Sequence, residues 1–160
     1  VWIDPNGVRT SILGIRATKT YTIAAETASL FTVSGLVLVT SLVGKVTTAM
    51  TVANSVKLVS NPTTGTSSDL CAATDLGTTD TPAGNLLSIS GMPTGSVLSG
   101  IGAVRLFPVE DVTVTQGGAK GLYIAAGVIQ QVTTGTGPDG VIAWTLTYVP
   151  IEDGAAVTAA

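Results

Sequence analysis

The sequence predicts an all-β fold, a two-sheet antiparallel β-sandwich or jelly roll entered by an N-terminal arm, on three observations. No stretch of ten or more residues carries a helical apolar stripe, and the charged helix formers Glu, Lys and Arg are sparse. Apolar residues instead alternate with Thr and Ser over short runs, the period of a half-buried strand. Turn-forming Gly, Pro, Asn and Asp punctuate those runs. About eight to ten such strands bury one face each by closing as two stacked sheets. The 160 residues suit one domain, and no fixed-period repeat suggests a solenoid.

Residues 1–17 read as an arm or linker, with a turn at Asp4, Pro5, Asn6 and Gly7. The apolar residues Trp2, Ile3, Ile12, Leu13 and Ile15 of this stretch are candidate interface residues; Trp2 can pack on the domain's own edge or on a neighbour. The sandwich domain is expected over residues 18–160. It opens with TKTYTIAA, where Tyr21 and Ile23 alternate with threonines. SLFTVSG places Phe31 and Val33 on one face. Gly35 breaks it before LVLVTSLVGKVTTAM, which is expected to bend or bulge at Gly44.

VANSVKLVS supplies the next strand and NPTTGTSS a turn. DLCAATDL is a short strand or a pair of edge segments, GTTDTPAGN a loop, and NLLSISG a strand through Leu87 and Ile89. MPTGSVLSGIG reads as turn-like, and AVRLF and VTVT as brief strands about PVED. GLYIAAGVIQQVTT, GTGPDG and VIAWTLTYVP read as a β-hairpin. In its second strand Ile142, Trp144, Leu146 and Tyr148 share one face, and Ala143, Thr145 and Thr147 the other. Pro150, lacking a ladder donor, ends it, and IEDGAAVTAA is expected to trail off as a tail.

Composition narrows the function classes. Seven basic and ten acidic residues give a net charge of −3, and the basic residues are scattered singly, so no field exists to hold nucleic acid or an anionic membrane. The uncharged run from Thr27 to Gly44 approaches the length of a spanning helix. Its interrupting Thr, Ser and Gly and its β-branched bias favour strands, so no membrane span is expected. No leader pattern stands at the N-terminus, and the chain does not open on Met, as in a processed product or a piece of a longer protein. Hydrophobic residues make up 45% of the chain and charged ones only 11%, where soluble domains carry roughly a quarter. Partner subunits are expected to cover the excess.

Chemical sites are scarce. There is no histidine, which removes the usual base for Ser or Cys nucleophiles and the commonest transition-metal ligand. A lone cysteine, Cys71, allows no intrachain disulfide and reads as a small buried residue, with a bridge between subunits or a reactive thiol as the alternatives. Glu110 with Asp111, and Glu152 with Asp153, are carboxylate neighbours that could serve glycoside cleavage, but adjacent strand residues point to opposite faces, so solvated turn charges are expected. Asp69, Asp75 and Asp80 match no calcium-loop spacing, and GTGPDG is followed by a strand where a phosphate loop needs a helix. Catalytic, cofactor and metal sites are therefore expected to be absent. Trp144 and Tyr148 form either core or, in an alternative reading, an aromatic platform for glycan.

The runs LVGKVTTAMTVANSVKLVSNPTTGTSSDLCAATDL and YIAAGVIQQVTTGTGPDGVIAWTLTYVPIEDGAAVTAA, residues 42–76 and 123–160, resemble small virion structural proteins of tailed bacteriophages. The resemblance implies a non-enzymatic capsid decoration or head-fibre subunit, or a tail component. Such a protein is assembled in the host cytoplasm, displayed in many copies on the virion, and seated on the major capsid protein or other virion proteins. It also implies a homo-oligomer, with a trimer favoured, and carries over no catalytic residue. The arm matches nothing in it. The alternative function is a glycan-binding β-sandwich domain of a tail tip or adhesin, and a carboxylate-dependent glycosidase stands third.

Overall fold

The computed structural model describes residues 14–89, 97–101 and 121–160. Every regular element among them is a strand: β1 (Ile15–Thr22), β2 (Thr27–Ser34), β3 (Val37–Thr48), β4 (Ser55–Pro62), β5 (Ser68–Asp69), β6 (Thr74–Asp75), β7 (Asn85–Ile89), β8 (Val97–Ile101), β9 (Leu122–Ile124), β10 (Gly127–Thr134), β11 (Val141–Pro150) and β12 (Ala156–Ala159). They form two sheets. One runs β1-β11-β3-β7-β8, with β9 also on β3; the other runs β12-β2-β10-β4-β5, with β6 also on β4.

Both orders follow from one antiparallel ribbon rolled up on itself. The outgoing strands β1, β2, β3 and β4 pair in turn with the returning strands β11, β10, β7 with β9, and β5 with β6. The roll closes where β11 meets β3 and β10 meets β4. That is the jelly-roll arrangement, with β8 and β12 added at two of the edges. Successive strands of the ribbon therefore lie in opposite sheets, and both sheets turn their apolar faces to one core.

Alternation along each strand builds that core. β11 buries Ile142, Trp144, Leu146 and Tyr148, opposite Phe31, Leu58 and Ile129 of the other sheet. Where the alternation breaks, a bulge explains it. Leu30 and Phe31 are both buried because the β2–β10 register slips there, and Ser41 and Leu42 are both buried next to the slip at Thr40. The two threonines at the β3 register slips each donate a side-chain hydrogen bond across the strand pair, Thr40 Oγ1 to Thr147 O and Thr47 Oγ1 to Val141 O, both at 3.2 Å.

Several expectations change. β10 and β11 belong to different sheets and do not form a hairpin; Gly135–Gly140 spans from one sheet to the other. Both strands have the buried alternation of hairpin partners, but their inner faces meet across the core and not side by side. The bulges of β3 fall at Thr40 and Thr47, and Gly44 lies inside a regular stretch. There the glycine admits Trp144: a Cβ on Gly44 would come within 2.8 Å of Trp144 Cζ3. The C-terminal segment is not a loose tail, because β12 pairs with β2 over Ala156–Ala159. Val97–Ile101, expected as a turn, pairs with β7.

Ile15, Arg16 and Ala17, expected in the arm, belong to β1 and pair with Tyr148, Thr147 and Leu146. Lys19, within the expected strand, reaches the Ala160 carbonyl with its amine. DLCAATDL resolves into the edge segments β5 and β6, and Thr27–Gly44 lies in β2, the Gly35–Leu36 corner and β3. Trp2, Ile3, Ile12 and Leu13, the expected strands AVRLF and VTVT, and Glu110 and Asp111 lie outside the described residues.

Candidate interface surface

Most residues singled out for chemistry turn out to serve the fold. Trp144 and Tyr148 are 1% and 4% exposed, so neither can offer a ring face to a glycan, and the platform reading of this pair is corrected. They occupy inward positions of β11, and Trp144 Nε1 donates to Gln131 Oε1 across the core at 2.9 Å. Gln131 Nε2 donates in turn to Thr133 Oγ1 at 3.0 Å. Cys71 is buried, and its sulfur accepts a hydrogen bond from Leu58 N at 3.3 Å. Burial pushes its thiol pKa up, which suits a packed residue better than a nucleophile.

The carboxylates hold turns and corners. Asp75 Oδ1 accepts from Gly77 N and Thr78 N, and Asp69 pairs with Lys57 Nζ at 2.9 Å. Glu152 Oε2 accepts from Leu36 N at 2.8 Å, bracing the Gly35–Leu36 corner between the sheets. Gly35 has a φ of 70° there, a conformation that costs glycine little. Asp139 was not anticipated. From the loop between β10 and β11 its carboxylate takes bonds from Thr51 N (2.8 Å), Thr51 Oγ1 (2.7 Å) and Val52 N (3.0 Å), clasping the β3–β4 connection. Those bonds, with Thr51 N the largest influence, hold its pKa below the ordinary carboxylate value. Among the described residues no group of three or more Asp, Glu or Cys is placed to hold a metal ion.

Among the described residues, the exposed large apolar side chains gather at one end of the β1-β11-β3 sheet. Tyr123 of β9, Leu38 of β3 and Val149 of β11 are direct cross-strand partners in one row and so share a face. It is the outer face, because their neighbours Val37, Val39, Ile124 and Tyr148 are core residues. Tyr123 is 65% exposed and Val149 36%. Ile151, just beyond β11, is 47% exposed, and Ile15, opposite Tyr148 at the start of β1, is 46% exposed. Ile15 is thus the one expected interface residue within the described part of the chain, and it stands beside this row. Tyr123 was legible in LYIAA, since alternation places it opposite in sense to the buried Ile124.

The same end carries two hollows of about 290 Å³ each. They flank the crossing of the β4 end over the β9–β10 connection, where Thr63 N donates to Ala126 O at 2.8 Å. Ser60, Thr66, Ser68, Asp69 and Tyr123 line the first, and Leu36, Thr63, Thr64 and Glu152 line the second. Ala125 borders both. No family model, curated protein or solved structure matches this chain.

Proposed function

We propose that the chain is a non-enzymatic virion structural subunit of the tailed-bacteriophage kind, a capsid decoration or head-fibre protein that forms a homotrimer and seats on the particle surface. The observation that carries this reading is the outward apolar row Tyr123, Leu38 and Val149, with Tyr123 and Val149 exposed and Leu38 half-buried between them, and the exposed Ile15 and Ile151 beside it. A chain with only 11% charged residues has little else to keep such a face apart in solution, and copies gathered around a threefold axis cover it at no cost in unpaired charge. The resemblance of residues 42–76 and 123–160 to virion proteins supports the biological setting.

Two measurements test it. Light scattering on the purified chain is expected to give three times the 16.0 kDa protomer mass, and Val149→Asp combined with Ile151→Asp is expected to give a folded monomer. A wild-type chain that stays monomeric in concentrated solution refutes self-association. Electron microscopy of particles assembled without the chain is expected to show lost outer density; unchanged density and unchanged heat resistance refute the virion role.

A further inference from the structure

We propose that the Asp153–Gly154 turn between β11 and β12 is a site of spontaneous modification, where aspartate converts to isoaspartate and so becomes a methyl acceptor for an isoaspartyl methyltransferase. Among the described residues Asp139 and Asp153 are the aspartates that precede a glycine. That neighbour matters because glycine, with no Cβ, leaves its own backbone nitrogen open to the side chain before it.

The chemistry needs a free carboxyl and an accessible backbone nitrogen. With the carboxyl protonated, Gly154 N forms a bond to Asp153 Cγ, and the amide proton leaves with the carboxyl hydroxyl as one water. The product is a cyclic succinimide. Water then adds back at either ring carbonyl. Addition at Cγ restores aspartate. Addition at the main-chain carbon breaks its bond to Gly154 N, so that the chain runs through Cβ and Cγ and the α-carboxylate hangs free. Mass and charge are unchanged, and water is the only co-reactant.

The two Asp-Gly pairs stand in opposite surroundings. Asp139 is half-buried and Gly140 buried. Both Asp139 oxygens are held, Oδ1 by Thr51 N and Val52 N and Oδ2 by Thr51 Oγ1, and those bonds favour the ionised form, which cannot lose water. Gly140 is fixed as well: its carbonyl accepts from Ile23 N at 3.0 Å, and a Cβ on it would lie 2.5 Å from Met50 Cγ. At the other pair Glu152, Asp153 and Gly154 are all exposed. The Asp153 carboxylate has no hydrogen-bond or ion-pair partner among the described residues, and nothing lies within 4 Å of a Cβ built on Gly154. The motion that packing denies to Asp139 is open to Asp153.

Conversion acts on β12. The turn is closed by Ala155 N donating to Glu152 O at 3.1 Å, and isoaspartate inserts one more backbone carbon into that ring. β12 starts at the next residue, at the edge of its sheet and paired with β2, so a widened turn loosens the pairing of Ala156 with Ser34.

The test is prolonged incubation of the intact chain at neutral pH and body temperature, followed by enzymatic methylation and by peptide mapping with electron-transfer fragmentation, which separates the two isomers of equal mass. Mapping also keeps apart any signal from Asn6–Gly7, outside the described residues. In the folded chain isoaspartate is expected to form at Asp153 at least about tenfold faster than at Asp139, whose release breaks three hydrogen bonds; in denaturant the two are expected to convert at similar rates. Asp153→Glu, which would need a larger ring, is expected to remove the signal at this position. Amide exchange over Ala156–Ala159 is expected to be faster in the modified chain, and unchanged exchange overturns the coupling to β12. The inference itself is overturned if Asp153 stays unconverted in the folded chain or if Asp139 converts as fast. Conversion confined to the Val149→Asp, Ile151→Asp variant would place the turn under a neighbouring copy and overturns it too, while solution mass tests self-association separately.

Discussion

The Gln131–Trp144 hydrogen bond ties the two inner sheet faces together in the core, and its removal has a calculable cost. Gln131→Met keeps an unbranched side chain of similar length in a position that is fully buried, so little cavity is created. The indole N–H, itself sealed from water, loses its 2.9 Å acceptor, and Thr133 Oγ1 loses its donor. An unmade buried hydrogen bond costs about 1–3 kcal/mol. For a chain of this length each kcal/mol lowers the melting temperature by about 2–4 °C, so a drop of about 4–8 °C is expected at the midpoint of that range. Trp144→Phe removes the donor and also leaves space, and it is expected to cost more. The decisive quantity is the double variant, because once the indole N–H is gone the Met no longer strands it. Urea unfolding followed by far-ultraviolet circular dichroism should give a double-variant cost at least about 1 kcal/mol below the sum of the singles. Additivity within about 0.5 kcal/mol would refute the claim that the two side chains act as a pair.

Three further outcomes follow from other contacts. Gly44→Ala is expected to cost about 1–3 kcal/mol in the same unfolding assay, because its methyl would sit 2.8 Å from the buried Trp144 ring; an unchanged midpoint would show that the ring has room to move. The Asp139 pKa is depressed in the folded state, so its contribution to stability is present above the ordinary carboxylate value of 3.8 and is lost as pH falls through the lower folded value. Melting temperatures of wild type and Asp139→Asn should therefore differ near neutrality and converge in strong acid, and parallel curves would remove the clasp. Ser88 is buried in β7 and its hydroxyl has no hydrogen-bond partner among the described residues; Ser88→Ala should leave stability unchanged or raise it by about 1 kcal/mol, and a loss larger than that would reveal a partner.

Where sequence reasoning succeeded, it rested on periodicity. The alternation Ile142, Trp144, Leu146, Tyr148 named the inward face of β11, and all four are buried. The alternation left the glycan platform open for Trp144 and Tyr148, and their burial in the structure is what speaks against it. For the short DLCAATDL the sequence left a single strand and a pair of edge segments both open, and the structure forms the pair, β5 and β6. The sequence left no comparable sign of the hollows. Thr66 and Ser68 look like ordinary turn residues of NPTTGTSS, and Ser60 like a strand residue of VANSVKLVS, until the chain near Ala125 is laid beside them.

Local sequence thus determined the all-β class, the inward face of most strands and the ends of several of them. Each of those depends on neighbours two to six positions apart. Which strand lies beside which was decided only by the tertiary structure. Two strands with buried alternation and a Gly-rich link satisfy their inner faces equally well side by side in one sheet or face to face across two. The choice for β10 and β11 is set by the rest of the roll: β1 and β3 occupy both flanks of β11, and β2 and β4 both flanks of β10. The exposed row at Tyr123, Leu38 and Val149 has the same origin, for its members are far apart in the chain and became neighbours when the ribbon closed.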